Sequence, residues 1–335
     1  MHRTVDISVL EALKSRSILR LTDLTAAEIS AVIALARTVK ADYSAFRGVL
    51  AQRSLVMLFE KPSLRTRVSF EIGFQKLGGC VSFLDHCNEH IGSREPVGDY
   101  GRILERWADV IVARVFKQET LAALRDNCSS PIVNALSDIA HPCQVLADAQ
   151  TLVEHGVKLE SMHLAWLGDG NNVCLSLMEL AAIMGGQMTV VTPATHKPCA
   201  TLTAQIQSIA AKTGATVTLT DDPSEIAGAH AVYTDAWISM GQKDCPEKIA
   251  SLRKLSVTPE IMKIAGPHAK FMHCLPAHRG EEVAGAVIDG PQSVIYDEAE
   301  NRMHAQNALM LALLGVLPAT RTVRGAQVEI LANRG

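Results

Sequence analysis

Short runs of β-branched and other apolar residues recur along this 335-residue chain, and longer stretches with helical apolar spacing separate them. The strand-like runs are Arg53 to Phe59, Ala108 to Phe116, His163 to Leu167, Met188 to Thr192, Thr216 to Thr220, Ala231 to Thr234 and Lys270 to Cys274. Between them lie stretches such as Arg65 to Leu77, in which Phe70, Phe74 and Leu77 fall at i, i+4 and i+7 on one helical face. Repeated strand, helix, strand order predicts an α/β fold of parallel sheets flanked by helices. Such sheets present ligands to the loops that follow their strands.

The segment Pro142 to His155 reads as one helix, with Pro142 suited to its first turn and Gly156 to its stop. It separates two α/β halves, and a chain of this length suggests about two domains. The expected division is therefore 1–150 and 151–335.

Composition narrows the function classes. The formal charge is −3, from 32 Lys+Arg against 35 Asp+Glu, which lacks the basic excess of a nucleic-acid binder. No apolar run approaches the roughly 18 residues of a membrane-spanning helix, and the N-terminus has neither signal- nor transit-peptide character. Eight scattered cysteines with no C-x-x-C pair read as reduced thiols. A cytoplasmic protein acting on a small molecule is expected.

The loop Glu60-Lys61-Pro62-Ser63-Leu64-Arg65-Thr66-Arg67 runs from the first strand directly into a helix. Ser63 is a natural N-cap, and a helix N-terminus flanked by Arg65, Arg67 and two hydroxyls is an anion site. From the residues alone, a capped helix with two solvated arginines remains the alternative. The turn Gly168 to Val173 invites a dinucleotide reading, but Val173 stands where a third glycine belongs and no ribose-binding acid follows the next strand. His273, Cys274 and His278 lack a fourth metal ligand nearby, so no metal is expected.

Six elements together carry a resemblance. Ser63 to Arg67 resembles the S-x-R-T-R loop of the aspartate/ornithine carbamoyltransferase family, and His141-Pro142-Cys143-Gln144 its H-P-x-Q element. Asp169-Gly170-Asn171-Asn172 is similar to its D-G-N-N turn, and Asp235 to Gly241 to the ornithine-type D-x-W-x-S-M-G. His273-Cys274-Leu275-Pro276 resembles the H-C-L-P element, and Asp297 to Arg302 completes the set in family order.

The resemblance implies a reaction and a site. The δ-amine of ornithine would attack carbamoyl phosphate to give citrulline and phosphate in arginine metabolism, with no metal or organic cofactor and the active site in the interdomain cleft. It assigns Ser63, Leu64, Arg65, Thr66, Arg114 and Arg302 to carbamoyl phosphate, with His141 and Gln144 on the carbamoyl group. His90 resembles a position that reaches a neighbouring subunit's substrate, and some members carry Gln there. Asn172, Asp235, Ser239, Met240, Cys274 and Leu275 would bind ornithine, with Cys274, Asp235, Arg114 and His141 taking part in the chemistry. The family's usual trimer, or a multiple of it, is expected, with the C-terminal helix packing back on the first domain. Putrescine, N-acylated ornithine and aspartate stay open as acceptors, as does a non-catalytic paralogue.

Overall fold

A computed structural model describes residues 5–238, 245–317, 319–321 and 329–331. The chain forms two compact units: Met1–Ser137 with Arg302–Gly335, and Asp138–Asn301. The helix Pro142–Glu154, expected to separate the halves, lies wholly within the second unit.

The first unit is built on a parallel sheet of β1 (Ser54–Phe59), β2 (Cys80–Asp85), β3 (Val110–Arg114) and β4 (Ile132–Leu136), in the order β2-β1-β3-β4. In β1 every residue after Ser54 is buried, as a strand covered on both faces requires. The following helix, Leu64–Lys76, is capped by Ser63, whose hydroxyl accepts from the Thr66 N–H at 3.3 Å. It buries Phe70 and Phe74, each contributing about 1.5–3 kcal/mol by leaving water. The edge of β4 is covered by Ile18, which accepts from the Asn134 N–H at 2.9 Å and donates to the Ile132 carbonyl at 2.8 Å.

The second unit carries a parallel sheet of β5 (His163–Leu167), β6 (Gln187–Val191), β7 (Thr216–Thr220), β8 (Ala231–Tyr233) and β9 (Lys270–Met272), in the order β7-β6-β5-β8-β9. Ala165, Leu167, Val232, Trp237 and Phe271 pack in its core. The helix Asn172–Met184 is buried along nearly its whole length and stops at Gly185, whose φ of 82° is the left-handed conformation of a C-cap glycine. Pro142–Glu154 is buried from Pro142 to Leu152 although Gln144, Asp148 and Thr151 stand on one face. Buried polar groups in that pattern require partners.

Each expected strand forms with ends within two residues of expectation, whereas β2 and β4 were not anticipated. The helix Ile295–Leu313 gives its first residues to the second unit and Arg302 onward to the first. There the Leu313 carbonyl accepts from Ser15 N–H, and Asn307 donates to the Tyr43 hydroxyl. Ala319–Arg321 and Glu329–Leu331 pair as antiparallel strands. Among the described residues no helix is long and apolar enough to cross a membrane.

Candidate functional site

Strand order locates the ligand sites. In the first sheet the chain leaves β1 toward one edge and β3 toward the other, and it is beyond the carboxyl ends of strands at such a reversal that open α/β sheets bind ligands. Phe59 pairs with Arg114 there, and the Glu60 N–H donates to the Arg114 carbonyl at 2.9 Å. Arg114 is buried, 5% exposed. Glu60 accepts from the Ile91 N–H at 2.9 Å and the Phe116 N–H at 2.7 Å, tying the loop after β1 to those after β2 and β3. No sequence motif singled out Glu60.

Positive charge gathers around the first turn of Leu64–Lys76. Arg302 Nη2 donates to Thr66 Oγ1 at 3.0 Å, with both residues buried. Arg65 is half-buried and makes no ion pair among the described residues. Leu64, the first residue of that helix, is exposed. Arg67, counted on sequence as a second phosphate cation, instead pairs with Glu71 at 3.3 Å and lies 3.8 Å over the Phe83 ring. The His90 side chain is 62% exposed, with Nδ1 3.7 Å from Glu60 Oε1 and its ring edge-on to Phe116. Arg65, Arg302 and a helix N-terminus suit a phosphate, because the dipole and charge-assisted bonds add.

In the second sheet the reversal lies between β5 and β8. After β5, Gly170 is required by close approach, since a Cβ there would lie 2.2 Å from the Pro198 nitrogen. Asn171 Oδ1 caps the next helix, accepting from the Val173 and Cys174 N–H groups, and its Nδ2 donates to Asp235 Oδ2 at 2.8 Å. Asp235 follows β8, and Cys274 follows β9. The Cys274 thiol donates to Asp235 Oδ1 at 3.0 Å, an oxygen that also accepts from the Ala236 N–H at 2.8 Å. Burial, then the neighbouring Asp235 charge, push the Cys274 thiol well above its ordinary range. It is a proton donor at neutral pH rather than a thiolate.

His141 sits at the N-cap of Pro142–Glu154, is 4% exposed, and its side chain makes no capping hydrogen bond to that helix. Its N–H donates to Ser176 Oγ at 2.9 Å. Gln144, one turn on, donates from Nε2 to Asp148 and Glu298.

Two family descriptions match the chain: the aspartate/ornithine carbamoyltransferase carbamoyl-P binding domain over residues 16–154, and the Asp/Orn binding domain over residues 160–313. The chain belongs to the aspartate/ornithine carbamoyltransferase family. It is 48% identical over 299 residues to an ornithine carbamoyltransferase of Shewanella oneidensis, covering 88% of this chain and 98% of that one. A Synechocystis protein of the same name is 45% identical over 313 residues, covering 92% and 99%. The solved ornithine carbamoyltransferase from Pyrococcus furiosus superposes with a TM-score of 0.87 at 38% identity, over 90% of this chain and 98% of that one.

The family's D-G-N-N and H-C-L-P elements and Asp235 fall at the second sheet's reversal. Asn172, expected at the ligand, is the first helical residue and its carbonyl accepts from Ser176 Oγ at 2.9 Å, whereas its neighbour Asn171 reaches Asp235. Ser239 and Met240 lie outside the described residues. Leu275 has a left-handed backbone, φ 61°, and its N–H donates to His273 Nδ1 at 2.8 Å. That bond places the His273 proton on Nε2, 3.4 Å from Glu282 Oε1. Burial raises Glu282, but hydrogen bonds from His273 and the His278 N–H outweigh it and hold the carboxyl below its ordinary range. Asp235, His273 and Cys274 present donor atoms within 4.8 Å of one another, as do His278, Glu281 and Glu282. Both His273 nitrogens already face partners within the second unit.

Proposed function

We propose that this chain transfers the carbamoyl group of carbamoyl phosphate to the δ-amine of L-ornithine, giving L-citrulline and phosphate. The observation that carries the reading is Asp235, a carboxylate at the second sheet's reversal with one oxygen on the Asn171 amide and the other on the Cys274 thiol. A fixed negative charge suits a cationic amino acid and repels the second carboxylate of aspartate.

Ser63, the Leu64 N–H, Arg65 and Thr66 receive the phosphate, with Arg114 and Arg302 balancing its charge. His141 donates to the carbamoyl oxygen and Gln144 accepts from the carbamoyl nitrogen. Asp235, Asn172, Ser239 and Met240 hold the amino-acid end of ornithine, and Cys274 and Leu275 line the side-chain path. An aliphatic ammonium has a pKa of about 10.4, so its deprotonation is part of the barrier, and Asp235 with Cys274 is the pair placed to take or hold that proton. As the neutral amine attacks, charge develops on the carbamoyl oxygen, where Arg114 and His141 offset it before phosphate leaves.

The carbamoyl-phosphate half runs to about residue 150 in this reading, which includes His141 and Gln144; the match over 16–154 supports that limit. A trimer, with His90 serving a neighbouring subunit, is supported by the exposed stripe of Leu64, Val68 and Ile72 along one helix. A monomer mass by light scattering at working concentration contradicts that part. Eight free cysteines support a reducing, cytoplasmic setting and a place in arginine biosynthesis accords with the bacterial relatives. The test is an acceptor panel: with carbamoyl phosphate present, ornithine becomes carbamoylated far faster than N-acetylornithine, putrescine or aspartate. Preference for any of the other three overturns the assignment.

A further inference from the structure

Two buried carboxyl groups, Asp148 and Glu298, meet at the side chain of Gln144. Gln144 Nε2 lies 2.9 Å from Asp148 Oδ1 and 2.9 Å from Glu298 Oε1. An amide nitrogen carries two hydrogens, and here each points at a carboxyl oxygen. The flipped amide would set its carbonyl oxygen against those same two oxygens, a repulsive arrangement. Glu298 is itself fixed: Oε1 accepts from the Tyr233 hydroxyl at 2.9 Å and Oε2 from the His273 N–H at 3.0 Å. Tyr233 ends β8 two residues before Asp235, and His273 immediately precedes Cys274.

Resting on the carbamoyl-transfer reading above, we propose that Asp148 and Glu298 are positioning residues that lock the Gln144 amide with its nitrogen inward, so that only its carbonyl oxygen meets the carbamoyl group. An acceptor in that place recognises the carbamoyl NH2 and rejects an acyl phosphate that carries a methyl group instead. The carboxyl pair thereby makes the site selective for a carbamoyl over an acetyl donor. Through Tyr233 and His273, Glu298 also sets the strand ends that carry Asp235 and Cys274. Burial raises the Glu298 carboxyl, while hydrogen bonds from the His273 N–H and the Tyr233 hydroxyl oppose that shift.

Calorimetry with three stable probes tests this: inorganic phosphate, phosphonoacetamide, and 2-oxopropylphosphonate, which replaces the amide NH2 with CH3. The wild-type protein should bind the amide about tenfold or more tightly than the ketone, the size of a hydrogen bond made against one left unmade. Glu298→Gln, which brings a donor among donors, and Asp148→Ala should each bring that ratio toward one while phosphate affinity stays within about twofold, a split that a merely structural role would not produce. Folded variants that keep the preference, or that weaken all three probes equally, overturn the proposal. A wild-type protein that binds phosphate but does not prefer the amide overturns it without any variant. Failure of the wild type to bind phosphate at all strikes the carbamoyl-transfer reading and takes this proposal with it, a result distinct from the others.

Discussion

The Cys274 thiol reaches one oxygen of Asp235 at 3.0 Å while the Asn171 amide reaches the other at 2.8 Å. The carboxylate is thereby oriented from two sides, and the thiol serves as a donor whose own ionisation is opposed by burial and by the charge it touches. A donor to a charged group contributes about 1.5–3 kcal/mol.

Cys274→Ala should therefore lower turnover or ornithine affinity about 10- to 100-fold, because the carboxylate loses one of its fixed donors. Cys80→Ala and Cys199→Ala, both at exposed positions, should leave steady-state kinetics unchanged. Equal activity across the three variants contradicts the role given to Cys274.

The same thiol gives a pH dependence of stability. Its folded-state pKa is raised, so its contribution is fully present below the unfolded thiol value of about 8.5 and is lost as pH rises toward the folded value. Between about pH 8 and about pH 10 the melting temperature of the wild type should fall more than that of Cys274→Ser, which has no thiol to ionise. Parallel curves contradict a buried neutral thiol.

Arg65→Ala should weaken phosphate binding by calorimetry about 10- to 100-fold while circular dichroism stays unchanged, since the side chain is half-buried and supports no described ion pair. Unchanged affinity refutes the phosphate-loop assignment. Arg67→Ala should have little effect on phosphate, because that guanidinium is turned to Glu71 and Phe83.

Glu60→Ala should destabilise the fold by about 2–4 kcal/mol in denaturant titrations, because it strips the acceptor from the Ile91 and Phe116 N–H groups at once. Glu60→Gln, which keeps one acceptor oxygen, should recover part of the loss. Equal stability of all three proteins contradicts a structural role for this carboxylate.

Elements whose signal is local were legible in the sequence. β1 is a continuous apolar run, Ser63 caps the next helix within one turn, and Pro142 and Gly156 bracket another. β2 escaped notice because it is an edge strand with one face exposed and the other only half-buried, so its apolar residues make no continuous run. β4 is a run of only five residues interrupted by Asn134, whose amide turns inward to the Leu19 carbonyl at 2.8 Å. Glu60 and Asp148 carry no motif signal of their own, and Glu298, although it falls within the Asp297 to Arg302 element, takes its meaning from Gln144, Tyr233 and His273, far back along the chain. Asn171 and Asn172 are alike in composition, and only the cap geometry tells which one reaches Asp235. The break after Ser137 and the return of the chain at Arg302 are likewise products of packing, with no composition change to mark them.

The most direct measurement is the fate of a labelled carbamoyl carbon. With carbamoyl-13C phosphate and ornithine, the account predicts 13C-citrulline and phosphate in equal amounts by mass spectrometry and phosphate assay, with Asp235→Asn slowed by at least about 100-fold because the fixed charge at the amino-acid site is gone. Phosphate release without labelled citrulline, or an Asp235→Asn variant as fast as the wild type, contradicts it.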